Sequence, residues 1–289
     1  MLTIKSDSRA VASERPDVVI LCGGLGTRLR EETEFKPKPM VEVGDKPILW
    51  HIMKHYHGAG SLNFVLCLGY KGDVIRDYFL NYRRYNSDFA VDFGGNNIET
   101  LSNDFDENWR VVLAETGKDT LTGSRIRKAL QYVRGETFFA TYGDGLSDVD
   151  LDALLLHHRR SGKLATVTAV HPSSRYGELS IADGVAQTFA EKPQVTTGWI
   201  NGGFLVFEKA AFERVGVDDN VGLEQGVLES LAAESQLAVY QHPGFWQCMD
   251  TYREMQILNE MWAKGNAPWH TWDRPGRDGK DGATCLRTA

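Results

Sequence analysis

The sequence predicts an α/β protein in which helices cover both faces of a mixed, mainly parallel sheet. The first observation is that apolar, strand-like runs such as Val18–Leu21 and Phe64–Leu68 alternate with amphipathic stretches such as Ile48–His57. The second is a change from about residue 171, where short strand-like pieces and turns follow one another. Repeated β-α units form parallel sheets, because each helix carries the chain back to the start of the next strand. The later pieces predict antiparallel additions and a β-rich region.

The elements before residue 171 follow from the lengths and spacings of the apolar runs. Short apolar runs predict strands, and apolar side chains that recur at helical spacing predict helices. The first predicted helix, for example, places Ile48, Leu49, Ile52, Met53 and Tyr56 on one face. The further strands predicted here are Val111–Leu113, Thr137–Tyr142 and Ala165–Val170. The further helices are Gly72–Tyr82, one near Arg125–Val133, and Leu151–Arg160.

The elements after residue 171 are shorter and less regular. The predicted strands are Gly177–Ile181, Gly184–Ala190 and Gly203–Phe207, and the predicted helices are Glu224–Glu234 and Thr251–Lys264. Residues 83–110 are polar, and we interpret them as an excursion from the sheet. Residues 1–16 and 273–289 are polar or glycine-rich and have little to bury, which predicts flexible ends. We therefore expect one domain that spans residues 17–272.

The composition is that of an ordinary globular protein and argues against several classes. Of the 289 residues, 42% are hydrophobic and 25% are charged, and the net charge is −7. An acidic chain is a poor general binder of nucleic acid, which favours a basic surface. No apolar run predicts a signal peptide or a membrane span, and the four scattered cysteines predict neither disulfides nor a zinc site. We expect a reduced, cytoplasmic protein with no nucleic-acid or membrane partner.

A glycine-rich segment follows the first predicted strand and has the character of an anion site. Gly23, Gly24 and Gly26 carry no Cβ, so their backbone N–H groups can approach a phosphate closely. Arg28 can bind two phosphate oxygens at once, and Lys38 lies between two prolines that restrict the backbone. The segment matches neither the GxGxxG pattern nor the P-loop. It predicts a polyphosphate ligand, with an ordinary strand-to-helix turn as the alternative for the glycines alone.

Two aspartates are candidate metal ligands. Asp144 follows the predicted strand Thr137–Tyr142, and Asp250 lies just before the predicted helix Thr251–Lys264. Mg²⁺ is usually held by one or two carboxylates together with substrate phosphates, which suits a carboxylate at a strand end beside a phosphate site. The alternatives are that Asp144 is a turn residue between two glycines and that Asp250 is a helix N-cap. For Asp250 considered alone, the N-cap interpretation is favoured.

These segments resemble the signature of the sugar-1-phosphate nucleotidyltransferases. The matching residues are Gly23-Gly-Leu-Gly-Thr-Arg-Leu29 and, after them, Lys36-Pro-Lys-Pro-Met40. The resemblance implies a Rossmann-like α/β fold with a β-rich sugar-binding region, a Mg²⁺ cofactor held by Asp144 and Asp250, and a homo-oligomeric assembly. It also implies that the nucleotide is bound by Leu21, Cys22, Gly23, Gly24, Leu25, Gly26, Thr27, Arg28, Lys38 and Gly143.

A second pair of short segments is assigned to the sugar phosphate. Glu191 and Lys192 stand before Pro193, and Asn201 and Gly202 come soon after them. A charged turn between two strands is the commoner structure for Glu-Lys-Pro by itself. By resemblance to the family, Lys192 binds the sugar phosphate, and Glu191, Asn201 and Gly202 form the sugar pocket.

The segment Glu115–Ile126 resembles the nucleotide-binding segment of glucose-1-phosphate cytidylyltransferases. It reads Glu-Thr-Gly-Lys-Asp-Thr-Leu-Thr-Gly-Ser-Arg-Ile, where those proteins carry Asp-Thr-Gly and, further on, Thr-Gly-Gly-Arg-Leu. Thr120 and Arg125 match positions that contact the nucleotide there, and an arginine and a hydroxyl suit the O2 and N3 acceptors of cytosine. The resemblance runs from about Val18 to Trp272 and departs at both ends and at two cysteines near the site.

This resemblance implies Mg²⁺-dependent transfer of a cytidylyl group from CTP to α-D-glucose 1-phosphate, which yields CDP-glucose and pyrophosphate. The expected catalytic residues are Arg28, Lys38, Asp144 and Lys192. Lys38 and the metal would offset charge at the α-phosphate, Arg28 would hold the departing phosphates, and Lys192 would orient the incoming phosphate. Two alternatives stay open, namely the same reaction with dTTP or UTP and a catalytically inactive regulatory paralogue that binds nucleotide sugar. A Rossmann dehydrogenase is disfavoured because GxGxxG is missing.

Overall fold

The fold is given by a computed structural model, which describes residues 15–24, 26, 29–102, 107–172, 178–182, 185–190, 198–213, 215–216 and 219–272. Its first ten strands are β1 (Val18–Leu21), β2 (Glu42–Val43), β3 (Lys46–Pro47), β4 (Asn63–Leu68), β5 (Phe89–Asp92), β6 (Asn97–Thr100), β7 (Arg110–Glu115), β8 (Thr137–Tyr142), β9 (Gly145–Ser147) and β10 (Ala165–Val170). The later strands are β11 (Glu178–Ala182), β12 (Val185–Ala190), β13 (Ile200–Asn201), β14 (Leu205–Glu208), β15 (Leu237–His242) and β16 (Trp246–Cys248).

The helices lie between these strands. The α-helices are α1 (Arg30–Thr33), α2 (Ile48–Gly58), α3 (Gly72–Leu80), α4 (Tyr82–Tyr85), α5 (Thr122–Ala129), α6 (Leu151–Ser161), α7 (Glu229–Ala233) and α8 (Tyr252–Ala263). Short 3-10 helices occupy Lys38–Met40, Leu130–Tyr132 and Lys209–Phe212, and a π-helical turn occupies Leu223–Leu228. In the described residues no helix has the length and apolar character needed to cross a membrane.

One sheet forms the centre of the fold, with the strand order β13-β10-β14-β8-β1-β4-β7 and β15 paired with β10. The pairs β8–β1, β1–β4, β4–β7 and β10–β15 are parallel, whereas β14 is antiparallel to both β8 and β10. This mixed, mainly parallel sheet confirms the predicted fold class, including the antiparallel additions in the later half.

Helices cover both faces of the sheet, because successive side chains of a strand point to opposite sides. In β1, Val18 and Ile20 pack into the core layer formed with α2, while Val19 and Leu21 pack into the layer formed with α5. A central parallel strand that is apolar on both faces is typical of this architecture. All four side chains of β1 are buried, so the chain that leaves β1 starts from a rigid position.

Most predicted elements agree with the structure, and the differences are local. The predicted helix Glu224–Glu234 is a π-helical turn that continues into the short α7, because the chain packs closely against α5 here. The predicted excursion 83–110 contains the hairpin of β5 and β6, which is separate from the main sheet. Residues 1–14 and 273–289 lie outside the described residues, so the predicted flexible ends and the single domain 17–272 stay predictions.

Candidate active site

The carboxyl ends of three neighbouring parallel strands meet at one edge of the sheet. Gly143, directly after β8, donates its N–H to Leu21 O at 3.1 Å. Beyond β4, Tyr70 donates its N–H to Gly23 O at 3.3 Å. Ligands of open α/β sheets bind outside the carboxyl ends of the strands. The glycine segment after β1 therefore lies where the fold class places a ligand site.

A cleft of about 640 Å³ opens at this edge. Of the residues predicted from the sequence, it is lined by Leu21, Cys22, Gly23, Gly24, Gly26, Lys38, Thr120, Arg125, Gly143, Asp144 and Asp250. The lining residues that the sequence analysis missed are Pro39, Leu121, Thr122, Tyr142, Gly222, Glu224 and Gln225. The cleft thus brings together groups from distant parts of the chain.

Lys38 holds the two predicted metal ligands together at one side of the cleft. Its Nζ lies 2.6 Å from Asp144 Oδ2 and also donates to Asp250 Oδ1. The Lys38 side chain is 12% exposed, and Pro37 and Pro39 restrict the backbone on either side of it. Burial alone lowers the pKa of Lys38, but the two carboxylates outweigh burial and raise the pKa above its ordinary value. Lys38 therefore stays positively charged at the mouth of the site.

Asp250 faces Lys38, and another residue caps the following helix. The N-cap of α8 is Thr251, whose Oγ1 accepts the Glu254 N–H at 3.3 Å. Glu254 Oε2 accepts the Thr251 N–H at 2.8 Å, which completes a capping box. The interpretation of Asp250 as a plain N-cap is therefore wrong.

The donor set fits a divalent cation that substrate phosphates help to bind. Asp144 and Asp250 converge on one point, which the ammonium group of Lys38 occupies here. Within the described ranges, no group of three or more His, Cys, Asp or Glu side chains forms a metal site. Mg²⁺ is commonly bound by one or two carboxylates, with the remaining ligands from water and phosphate oxygens. The two aspartates therefore fit a metal that arrives with a nucleotide.

Arg125 lies beneath the glycine segment and holds it to the neighbouring strand ends. Its Nη1 donates to Leu68 O at 2.9 Å and to Thr116 Oγ1 at 2.7 Å, and its Nη2 donates to Gly23 O and Lys118 O at 3.2 and 3.1 Å. A Cβ at Gly23 would collide with this guanidinium group. A side chain at 23 would therefore push this guanidinium group out of its hydrogen-bonded position.

Thr120 lines the cleft, but its hydroxyl stabilises its own loop. Thr120 Oγ1 donates to Thr116 O at 2.6 Å and accepts from Lys128 Nζ at 3.2 Å. Lys128 Nζ also donates to Thr116 O at 3.1 Å. Thr120 and Arg125 both line the cleft, and their direct contact with a nucleotide stays a prediction.

Tyr142 and Glu224, which line the cleft, form a hydrogen-bonded chain with Asn201. Tyr142 Oη donates to Glu224 Oε1 at 2.5 Å and accepts from Asn201 Nδ2 at 3.2 Å. Burial, and then the contact with Glu224, raise the pKa of Tyr142 well above its usual value, so the phenol is neutral. The predicted sugar residue Asn201 is thereby connected to the cleft. Neighbouring Gly202 accepts the indole N–H of Trp246 at 2.7 Å.

Three cysteines lie in or near the site and are not nucleophilic. Cys22, which lines the cleft, and Cys67 are fully buried, and burial raises the pKa of both thiols, that of Cys67 to about 12. Burial and the neighbouring Asp250 and Asp144 raise the pKa of Cys248 to about 12. Because the thiolate is the reactive form, these side chains act as small packing groups at neutral pH.

Some predicted residues lie outside the described residues. In the glycine segment these are Leu25, Thr27 and Arg28, and on the sugar side they are Glu191 and Lys192. Their roles stay predictions. Asn201 and Gly202 are described: Asn201 donates to Tyr142, which lines the cleft, and Gly202 O accepts the indole N–H of Trp246.

The fold and this cleft define the class of protein. Residues 17–247 match the family model described as Nucleotidyl transferase. The chain therefore belongs to the nucleotidyl transferase family, whose members generally use a divalent metal.

Within that family, the chain is similar to the glucose-1-phosphate cytidylyltransferase of Salmonella typhimurium. The two are 46% identical over 256 residues, which cover 88% of this chain and 99% of the relative. The probable glucose-1-phosphate cytidylyltransferase of Bacillus subtilis is 44% identical over 254 residues, with the same shares.

Solved structures support the fold. HddC from Yersinia pseudotuberculosis, complexed with GMP-PN, matches with a TM-score of 0.63 and 24% identity. That match covers 86% of this chain and 100% of HddC. At this identity the likeness concerns the architecture alone.

Proposed function

We propose that this protein transfers a cytidylyl group from CTP to α-D-glucose 1-phosphate and releases CDP-glucose and pyrophosphate. The observation that carries the proposal is the contact of Lys38 with Asp144 and Asp250 at the glycine-lined cleft. This arrangement offers one buried cation and two metal ligands to a triphosphate. The match with the cytidylyltransferase relatives covers 99% of their length, and their names support CTP and glucose 1-phosphate as the substrates.

The reaction needs positioning and charge neutralisation more than acid–base chemistry. A phosphate oxygen of glucose 1-phosphate attacks the α-phosphorus of CTP, the α–β bridging bond breaks, and pyrophosphate leaves with the electron pair. The nucleophile is already anionic, so a strong general base is unnecessary. Lys38, held with its charge buried, stabilises the negative charge that develops at the α-phosphate. Arg28 would hold the departing phosphates and Lys192 the incoming one.

Magnesium is the proposed metal. Asp144 and Asp250 would hold it, with triphosphate oxygens completing its coordination. When bound, the ion neutralises phosphate charge and orients the triphosphate. The ammonium of Lys38 now occupies the point between the carboxylates. We infer that this side chain turns toward the α-phosphate when nucleotide and metal are present.

The sugar phosphate would lie near Tyr142, which lines the cleft. Asn201 and Gly202 are held in place by Tyr142 and Trp246, and Glu191 and Lys192 would complete that pocket. Recognition of cytosine is assigned to the segment with Thr120 and Arg125. The Nη1 and Nη2 groups of Arg125 each make two hydrogen bonds to protein oxygens, so a direct bond to the base would use the remaining Nε–H or replace one of these four.

The proposal is tested by measuring pyrophosphate release from CTP with and without glucose 1-phosphate. We expect release that depends on both substrates and on Mg²⁺. A clear preference for dTTP or UTP would assign the protein to another specificity. No release with any triphosphate, together with nucleotide-sugar binding, would favour the inactive regulatory paralogue.

A homo-oligomeric assembly and a cytoplasmic location stay predictions from the sequence. Light scattering coupled to gel filtration measures the first, because it gives the mass of the assembly independently of its shape. A mass near 32.3 kDa, that of one chain, would contradict the expected oligomer.

A further inference from the structure

Strands β9 and β16 form an antiparallel ribbon, and one site aspartate lies beside each strand at the same end of the ribbon. Cys248 pairs with Gly145 in the register, and just beyond it Met249 N–H donates to Asp144 O at 2.9 Å. Asp144 directly precedes β9, and Asp250 comes shortly after the end of β16. The separation of the two carboxylates therefore depends on how firmly this ribbon is held.

A hydrogen-bonded pair of side chains, His242 and Asp148, holds the ribbon at its other end. His242 Nε2 lies 2.9 Å from Asp148 Oδ1 and 3.3 Å from Phe245 O. Ser147 Oγ and Asp148 N–H also donate to Phe245 O, at 2.8 and 3.3 Å. Burial raises the pKa of Asp148, but hydrogen bonds from His242 and Phe245 N–H outweigh burial and lower the pKa. An ionised carboxylate thus connects chain segments that are 94 residues apart.

The pair is built into the fold. His242 is the last residue of β15, which pairs with β10 of the main sheet along its whole length. His242 is buried, and Gly244 packs against the pair so closely that a Cβ would lie 2.6 Å from both Asp148 Oδ1 and His242 Cε1. The ribbon is therefore fastened to the main sheet through Asp148 and His242, at the end opposite to the aspartates.

We propose that Asp148 and His242 are positioning residues for the metal-binding aspartates. They hold the β9–β16 ribbon so that Asp144 and Asp250 stay at the separation at which both bind one divalent cation. The inference deepens the proposed function and rests on it in one respect, the assignment of the two aspartates as metal ligands. Asp148 and His242 themselves act only through the ribbon.

Asp148→Ala removes the acceptor of His242, and the chain offers a matched control. Glu208 Oε1 also pairs with a histidine, His158 Nε2, at 3.2 Å. The side chains of Glu208 and Asp148 are similarly exposed, at 31% and 26%. Glu208 lies beside Thr137 at the start of β8, the end of that strand away from Asp144. Glu208→Ala therefore breaks an equivalent pair without touching the ribbon.

The probe is Mn²⁺, titrated into the protein with CTP present and glucose 1-phosphate absent, and followed by the electron paramagnetic resonance signal of the free ion, with CTP alone as the reference. We expect the dissociation constant to rise about 10-fold in Asp148→Ala, the lower end of what outer partners of metal ligands contribute. It stays unchanged in Glu208→Ala. Asp148→Asn keeps an oxygen acceptor for His242, so its Mn²⁺ dissociation constant should lie between those of the wild type and Asp148→Ala.

Kinetics and thermal unfolding separate positioning from general stability. In Asp148→Ala the half-saturating Mg²⁺ concentration should rise while kcat at saturating Mg²⁺ is retained. The unfolding midpoints of Asp148→Ala and Glu208→Ala should fall by similar amounts. Unchanged Mn²⁺ affinity in Asp148→Ala, or an equal loss in Glu208→Ala, would overturn the proposal. If the proposed function itself is wrong, wild-type turnover of CTP is absent while the Mn²⁺ titrations still behave as expected.

Discussion

Replacing Lys38 by alanine should slow turnover far more than it weakens nucleotide binding. The Lys38 ammonium contacts both Asp144 and Asp250, and its side chain is only 12% exposed, so water cannot replace its charge efficiently. Removing one fixed donor from a site where negative charge develops lowers kcat by about 100- to 1,000-fold, or about 2.7 to 4 kcal/mol. We expect a loss in that range for Lys38→Ala.

The assay is steady-state pyrophosphate release at saturating CTP, glucose 1-phosphate and Mg²⁺, and Lys36→Ala is the matched control. Lys36 lies on the other side of Pro37, and its Nζ is 3.5 Å from Glu32 and 3.7 Å from Glu42. Ion pairs between partly exposed side chains contribute little, and Lys36 does not line the cleft. We therefore expect kcat of Lys36→Ala to match that of the wild type.

A near-normal kcat in Lys38→Ala with a raised KM for CTP would refute this reasoning. Lys38 would then contribute only to ground-state binding, since uniform binding of substrate and transition state changes KM alone. Thermal unfolding of the metal-free variant checks that the protein is folded.

Three further predictions concern the metal, the sugar wall and pH. Asp144→Asn should lose Mg²⁺-dependent turnover and bind Mn²⁺ weakly while unfolding near the wild-type temperature; retained activity would remove Asp144 from the metal site. Tyr142→Phe should raise KM for glucose 1-phosphate about 10-fold and leave KM for CTP unchanged, because Asn201 loses its bond to the phenol. Burial lowers the pKa of His51 and outweighs the hydrogen bond with the Val43 carbonyl, which raises it. The pKa falls from 6.5 to about 4, so the folded state prefers the neutral ring. The neutral His51 ring therefore contributes fully to the free energy of unfolding above pH 6.5, and about 3 kcal/mol of that free energy is lost as the pH falls toward 4. A free energy of unfolding in urea that stays constant between pH 6.5 and 4 would contradict this prediction.

Much of the fold follows from the sequence because its signals are local. β1 is apolar at every position, which is what a central parallel strand between two helical layers requires. The π-helical turn at Leu223–Leu228 is different, because its apolar spacing resembles that of an α-helix. Its geometry is set by close packing against α5, where a Cβ on Gly123 would lie 2.9 Å from Val221 O. Such a contact joins residues that are far apart in sequence.

The sequence predicts a site residue where its residue type and the surrounding motif indicate the same role. It does not predict a residue whose role depends on contacts between distant parts of the chain. The sequence singles out Lys38, between two prolines, and Asp144, at a strand end, and the structure brings the two into contact at the cleft. Glu224 was missed because a single glutamate at a helix start carries no signal until Tyr142 is known to face it. Arg125 was found, but its hydrogen bonds to four oxygens below the glycine segment depend on the tertiary fold.

The central claim, cytidylyl transfer to glucose 1-phosphate, is tested most directly by direct competition among nucleotides. CTP, dTTP, UTP and GTP at equal concentrations are incubated with the protein, glucose 1-phosphate and Mg²⁺, and the nucleotide sugars are identified by mass spectrometry. We predict that CDP-glucose is the dominant product. Dominance of dTDP-glucose or UDP-glucose, or the absence of any nucleotide sugar, would contradict the claim.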